Sequence, residues 1–261
     1  MDMNGFPKVS LLMTSYNCCN NIKRTLASVD TQDYENIEII IVDGGSNDGT
    51  VNVIEQYSMN GKYSCNWISE KDKGLYDAIN KAYNMSTGNI VAVFNDLFVV
   101  PNAVSLMVKT IIENGADGAH ADLVYATDSE VKRYWHMGEG RLQDGWLPGH
   151  PTLYLKREVY EKYGLYDVNY KCSADYEFMV RILKDNTIKL AYLPQIIIRM
   201  FYGGTSTAGI GSYWVSIKES YKALVLNNVK RPAWIIFRRI LKVLKQFIKA
   251  ENHIIPPLNG I

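Results

Sequence analysis

Residues 88–96, Gly88-Asn89-Ile90-Val91-Ala92-Val93-Phe94-Asn95-Asp96, decide how the chain folds. Aliphatic residues and a phenylalanine stand between a glycine and an Asn-Asp pair, which is the length and punctuation of a buried strand. In an open α/β sheet, ligands sit at the C-terminal edges of the strands. A carboxylate at such an edge, Asp96, has two open readings: it holds a divalent cation against a diphosphate, or it opens a turn.

The residues on either side repeat the pattern. Val9–Met13 reads as a first buried strand that breaks at Thr14-Ser15-Tyr16-Asn17. A helix follows, with Ile22, Leu26 and Val29 on one face and Asn20 as its expected cap. Ile37–Val42 is a second strand, stopped at Asp43-Gly44-Gly45-Ser46-Asn47-Asp48-Gly49, and Thr50 onward is helical. Cys65–Ser69 is a short third strand before Glu70-Lys71-Asp72-Lys73-Gly74, and a helix from Leu75 to Met85 leads into the strand quoted above. Strands alternating with helices to about residue 115 imply a mostly parallel sheet with right-handed crossovers.

Beyond that point the rhythm changes. Gly118–Tyr125 and Thr152–Leu155 read as strands, and residues 127–150 are polar, aromatic and poorly periodic. Arg157–Tyr163 predicts a short helix stopped at Gly164, and Ser173 caps a helix over Ala174–Leu183. Ile188–Tyr192 and Ile196–Phe201 read as a strand pair around Pro194. From Ser220 to Ala250 there is no acidic residue, and eight lysines and arginines interleave with Trp234, Phe237, Leu241 and other apolar residues. Such a basic amphipathic helix lies either on an anionic membrane surface or against its own domain with the cations solvated.

Composition narrows the function. Lys plus Arg number 28 against 27 Asp plus Glu, a balance that argues against a nucleic-acid binder. The four cysteines have neither metal-ligand nor disulfide-framework spacing, which places the chain in a reducing cytosol. No segment is apolar and long enough to span a bilayer. The expected location is cytoplasmic, soluble or peripheral on the inner face of the cell membrane.

The strand ends share a theme. Gly44 and Gly45 let a ligand approach the backbone closely. Asp43 either accepts a base N–H or closes an Asx-turn. Thr14 and Tyr16 supply a hydroxyl and an aromatic face. Asp77 and Lys81 stand four apart on one helix, where an exposed ion pair is the plain alternative.

These pieces together resemble a known family. Ser10–Asn17 (SLLMTSYN), Ile39–Thr50 (IIIVDGGSNDGT) and Ser69–Ala82 (SEKDKGLYDAINKA) are similar to the nucleotide-binding half of family-2 glycosyltransferases, enzymes of the GT-A fold. The third motif is the most specific, and points to the bacterial branch that builds surface polysaccharides. Gly149–Thr152, Gly164–Asp167, Ser173–Phe178 and Gly203–Ser206 match in the C-terminal half, so the resemblance covers roughly residues 8–210. It implies a Rossmann-like, mostly parallel sheet flanked by helices: a GT-A domain over residues 1–210, with nucleotide-binding and acceptor halves meeting near residue 100. A basic helical tail would occupy residues 211–261.

The resemblance also implies roles. Asp43 would read the base of a nucleotide sugar, usually uridine, beside Thr14, Tyr16, Asn17, Gly44 and Ser46. Lys71, Asp72 and Gly74 would line the nucleoside, with Asp77, Asn80, Lys81 and Asn95 towards the sugar and diphosphate. Asp175 would be the catalytic base, where helix-dipole complementation is the plainer reading. Trp146 and His150 would border the acceptor pocket.

One departure stands out. The family ends the 88–96 strand with Asn-x-Asp-Asp, an acidic pair for Mg²⁺ or Mn²⁺, whereas this chain reads Asn95-Asp96-Leu97-Phe98. Three consequences are open: Asp96 holds a weakened metal site, a Lys or Arg compensates, or transfer is lost. The reading is an inverting hexosyl transfer from a UDP-sugar to a sugar acceptor, carried on a polyprenyl diphosphate at the membrane. The alternative is a non-catalytic nucleotide-sugar binder with a degenerate metal site. A nucleotidyltransferase is disfavoured because Thr14–Cys19 contains no Gly, Arg or Lys. A glycoside hydrolase would need a second carboxylate to pair with Asp175.

Overall fold

The structure, a computed structural model, describes residues 6–127, 130–201 and 210–248, with side chains left out at 210–212 and 244–248. The matched motif Gly203–Ser206 lies outside the described residues. The first half alternates as expected: β1 (Val9–Ser15), α1 (Cys19–Asp30), β2 (Ile37–Asp43), α2 (Thr50–Asn60), β3 (Ser64–Ser69), α3 (Leu75–Met85) and β4 (Ile90–Val93). The second half contains β5 (Leu97–Phe98), α4 (Ala103–Glu113), β6 (Gly118–Ala126), β7 (Val131–Trp135), β8 (Tyr154–Lys156), α5 (Arg157–Tyr163) and α6 (Ala174–Leu183). It closes with β9 (Leu190–Phe201), α7 (Ile210–Leu226) and α8 (Pro232–Ile248).

The strands form one sheet in the order β3-β2-β1-β4-β8-β6-β9-β5, with β7 beside β6. Pairing is parallel from β3 to β4 and again between β6 and β9, while β8 runs antiparallel to both β4 and β6. It follows that β1, β2, β3, β4, β6 and β9 all point the same way, and their C-terminal ends share one edge. The strands at the centre are nearly continuous aliphatic runs because helices cover both faces. One core layer joins Leu11, Met13, Ile39 and Ile41 to α1 and α4. The other joins Leu12, Ile40, Val42 and Val91 to α3, α5 and α6.

A buried carboxylate locks the start of this sheet. Glu38 in β2 accepts from Ser10 Oγ (2.6 Å), the Thr87 amide (2.6 Å) and the Gly88 amide (2.9 Å), and pairs with Lys8 at 2.8 Å. Burial alone would raise the Glu38 carboxyl, but bonds from Lys8, Ser10 and Thr87 outweigh it and hold the group at about 2. Gly88 has no room for a side chain, since a Cβ would lie 2.8 Å from the Lys8 carbonyl oxygen.

Four local expectations are corrected. The cap of α1 is Cys18, not Asn20, and the Cys19 amide is met from a distance by Asp48 Oδ2 at 3.1 Å. Ser173 occupies the cap position of α6 but makes no capping bond; its hydroxyl meets Ser216 Oγ at 3.0 Å. The expected strand pair around Pro194 is the single strand β9, with register shifts opposite Asp122. Proline lacks the amide a ladder needs, and an irregularity accommodates it without ending the strand. Within the unpatterned 127–150 stretch lies β7, a hairpin partner of β6.

The tail packs on the domain. Ala223 and Leu224 of α7 and Ile235 and Ile236 of α8 are buried in the second core layer. On the other side of the same helices Trp214, Leu226, Trp234 and Phe237 are half exposed or more.

Because the Glu38 carboxyl sits below its ordinary 4.5, its stabilisation is complete above that pH and is lost as pH falls through about 2. Glu38→Gln is expected to lower stability by roughly 2–3 kcal/mol at pH 7, and to flatten the acid limb of urea melts taken between pH 5 and 2.

Candidate active site

At the shared edge, Asp43 ends β2 fully buried. Its Oδ1 accepts from Ser15 Oγ (2.9 Å) and Ser46 Oγ (2.5 Å); its Oδ2 accepts from Ser69 Oγ (2.7 Å) and the amides of Gly45 (3.0 Å) and Ser46 (2.8 Å). Burial would raise this carboxyl, yet the donors led by Ser46 pull it below its ordinary value. With five donors on two oxygens, the charge is spent on tying the ends of β1, β2 and β3 together. Asp43 therefore shapes the corner where the three strands end.

The carboxylate that faces outward here is Asp72. A Cβ added at Gly44 would come 2.9 Å from Asp72 Oδ2 and 3.3 Å from the Tyr16 ring, so Gly44 leaves the space that Asp72 and Tyr16 flank. Tyr16 is 66% exposed, an open aromatic face at the rim. Asp72 Oδ1 also accepts from the Gly74 amide at 2.8 Å, and Gly74 has φ +116°, a turn that glycine favours.

Other predicted residues tie loops together. Asn95 bridges β4 to β1: its Oδ1 accepts from the Thr14 amide (2.9 Å) and its Nδ2 donates to Thr14 Oγ1 (3.0 Å). The Asn17 amide donates to Ser46 Oγ at 2.8 Å, and Asn17 Oδ1 accepts from the Asn47 amide at 3.0 Å. Asn80 exchanges both amide atoms with the Tyr166 backbone, at 2.8 and 3.0 Å, joining the two halves of the chain. Lys81 pairs with Glu70 at 2.6 Å and Asp77 at 3.5 Å, and Asp77 also accepts from the Lys73 amide at 3.1 Å. Lys71 is exposed beside Gly45.

Asp175 lies in the first turn of α6, partly exposed, where the helix dipole favours its anion. Tyr76 of α3 donates to Asp175 Oδ1 at 3.1 Å, which fixes one oxygen and leaves the other. His150 is held by the Tyr166 hydroxyl at 2.7 Å, and burial lowers its pKa against the raising pull of Asp175. Trp146 donates from Nε1 to the Met137 carbonyl at 3.0 Å and stands edge-on to His120 at 5.2 Å.

Asp96 does not have the surroundings of a metal ligand. It is 9% exposed, Oδ1 accepts from the Phe201 amide at 3.3 Å, and burial lifts its carboxyl to about 7. The two residues that follow, where the family carries acids, are core: Leu97 and Phe98 are buried, and the Phe98 ring stacks on Phe94 at 4.0 Å. Among the described residues no three His, Cys, Asp or Glu side chains are grouped to hold a metal. The residues present thus do not fit the expected Mg²⁺ or Mn²⁺ on Asp96.

The sequence model of Glycosyl transferase family 2 matches residues 10–175, and the chain belongs to that family. An uncharacterized glycosyltransferase of Mycobacterium tuberculosis is 27% identical over 232 residues, covering 81% of this chain and 79% of its own. Among solved structures, Staphylococcus aureus TarS in complex with UDP-GlcNAc superposes with a TM-score of 0.70 at 18% identity, over 91% of this chain and 73% of its own. A mannosyltransferase of Pyrobaculum calidifontis, in complex with GDP-Man and Mn²⁺, gives 0.68 at 16% identity, over 95% and 74%. The fold is GT-A, as the motifs implied.

Sequence reasoning passed over Tyr76, although it sits inside the most specific motif.

A carboxyl raised from 3.8 to about 7 makes the folded state lose stability as pH climbs through that interval. Asp96→Asn is expected to be stabilised over the parent by roughly 1–3 kcal/mol at pH 8 and by little at pH 3.5, read from thermal melts in EDTA. A metal ligand would behave otherwise: Mn²⁺ would raise the parent's melting temperature and not the variant's.

Proposed function

We propose that this family-2 glycosyltransferase is an inverting enzyme that moves a hexose from a UDP-sugar to a hydroxyl of a sugar acceptor in surface polysaccharide biosynthesis. The observation that carries the reading is Asp175, held through one oxygen by Tyr76 with the other left to accept a proton. Asp175 takes the acceptor's proton as the acceptor oxygen attacks the anomeric carbon, while the bond to the β-phosphate breaks and its electron pair leaves with UDP. The wall formed by partly buried His150 and buried Tyr166 lowers the local dielectric and strengthens the pull of the carboxylate on that proton.

For the donor, the exposed ring of Tyr16 offers a stacking surface, and Asp72 beside Gly44 an acceptor for a base or ribose donor. TarS binding UDP-GlcNAc on the same fold supports uridine. In this reading Asp43, Asn17, Ser46, Asn80 and Asn95 act by holding the loops, and Trp146 and His150 border the acceptor. The Mn²⁺ of the mannosyltransferase makes a cation compatible with the fold, although the surroundings of Asp96 do not supply its ligands.

The acceptor in this reading is carried on a polyprenyl diphosphate, with the protein lying on the membrane. Trp234 (51% exposed), Phe237 (50%) and Leu241 (44%) stand on α8 among Arg238 and Lys242, an apolar and basic face suited to an anionic surface. Among the described residues no helix is long and apolar enough to cross a membrane.

Asp175→Asn should reduce sugar transfer by about 10²–10⁴-fold while UDP affinity by calorimetry stays within twofold. Unchanged turnover would remove Asp175 from its role, and an absence of UDP release in the parent with any nucleotide sugar would favour a non-catalytic binder. Trp234→Ser combined with Phe237→Ser should cut co-sedimentation with vesicles containing anionic lipid by about tenfold and leave transfer to a soluble acceptor intact.

A further inference from the structure

The segment that leads into the turn bearing Asp175 is gripped by α7, a helix that composition sets apart as part of a tail. Three residues of α7, spaced three apart on one face, meet consecutive residues of that segment in reverse order. Ser216 Oγ lies 3.0 Å from Ser173 Oγ. Glu219 Oε1 accepts from the Lys171 amide and its Oε2 from the Cys172 amide, both at 2.9 Å. Lys222 Nζ stands 5.1 Å over the ring of buried Tyr170. On the other side of Asp175, Arg239 of α8 lies 4.4 Å over the ring of Tyr176 and donates to Ser220 Oγ at 2.8 Å. The residue after Asp175 is thereby tied back to α7 as well.

We propose that Glu219 is a positioning residue for the catalytic base: by holding the amides of Lys171 and Cys172 it fixes the start of α6, and with it the place of the Asp175 carboxylate. The inference rests on the reading of Asp175 as the base and goes beyond it by making α7 part of the transfer apparatus.

Three features support it. First, α6 is not held by its own cap, because Ser173 makes no capping bond and turns its hydroxyl to α7. The entry of the chain into the helix is therefore set from outside. Second, Glu219 places one carboxylate oxygen on each of two successive amides. Bonds to a charged acceptor are shorter and stronger than neutral ones, and a two-pronged contact fixes the orientation of the backbone as well as its position. Third, the Asp175 side chain is steered by one bond from Tyr76 at 3.1 Å, which aims the carboxylate only if the backbone beneath it is already placed. A shift of about 1 Å at a reacting group costs on the order of 10²-fold in rate. The gap at Gly44, where the nucleoside would sit, is built by other elements and does not depend on this contact.

The test joins turnover to hydrogen exchange on the full chain. UDP-glucose, UDP-galactose and UDP-GlcNAc are supplied in turn, with water as the acceptor, and UDP release is followed. Glu219→Ala is expected to lower kcat by about tenfold or more with UDP affinity by calorimetry within twofold, and Glu219→Gln, which keeps one acceptor oxygen, to recover part of the loss. Exchange at the Lys171 and Cys172 amides should rise by about tenfold in Glu219→Ala while the amides of β1, β2 and β4 exchange as in the parent, which separates a loosened segment from a lost fold. Where Glu219→Ala does not fold, Glu219→Gln carries the same comparisons. In an Asp175→Asn background a residue that acts through Asp175 has nothing left to place, so adding Glu219→Ala should lower kcat by less than about twofold more. A further tenfold fall in that background overturns the proposal, as does a kcat that stays unchanged while the two amides loosen. Free exchange of both amides in the parent, or a loss of UDP affinity matching the loss of kcat, also overturns it. Those results leave Asp175 as the base. If Asp175→Asn itself leaves turnover unchanged, or no donor yields UDP, the transferase reading fails and this inference falls with it.

Discussion

A buried aspartate carrying its charge among five donors holds this site in shape. Asp43 accepts from hydroxyls and amides of β1, its own loop and β3. Each donor removed would leave a charged oxygen short of a partner in a dry place, which is far more costly than losing one bond in water. The cluster is therefore a strong geometric constraint. It sets the path of the 43–49 loop, and through it the gap at Gly44 where Asp72 and Tyr16 stand. The Thr14–Asn95 exchange extends the same constraint to β4, and the Asn80–Tyr166 exchange carries it to the half that presents Asp175.

Two chemistries meet at the resulting edge. On one side an exposed aromatic ring and an acid suit a nucleoside; on the other a partly exposed acid, steadied by Tyr76, suits proton abstraction. Between them the position at which the family places acids has been given over to packing, with Phe98 stacked on Phe94 and Asp96 sealed beneath the Phe201 amide. Burial pushes the Asp96 carboxyl towards neutrality, so it gives a cation little reason to stay.

The strands of the first half were legible because each is a short aliphatic run bounded by Gly, Asn and Asp, and a buried parallel strand needs little else. Asp43, Gly44, Asp72 and Asp175 were legible as residues of interest through motif and position. Their division of labour was not. Whether an acid faces a ligand or its own loop depends on donors that fold back on it, and Ser15 and Ser69 lie 28 and 26 residues from Asp43. For the same reason the bonds of Asn80 to Tyr166, and of Lys81 to Glu70 and Asp77, could not be read from the sequence. In β9, Pro194 read as a break because the tolerance of its missing amide is set by the neighbouring strand.

The most direct measurement is a crystal structure of the chain with UDP bound in EDTA. The account predicts the pyrimidine on Tyr16 against the Gly44–Asp72 gap, with its diphosphate directed across the edge towards Asp175. A pyrimidine bound on another face of the molecule, or a diphosphate turned away from Asp175, would contradict it.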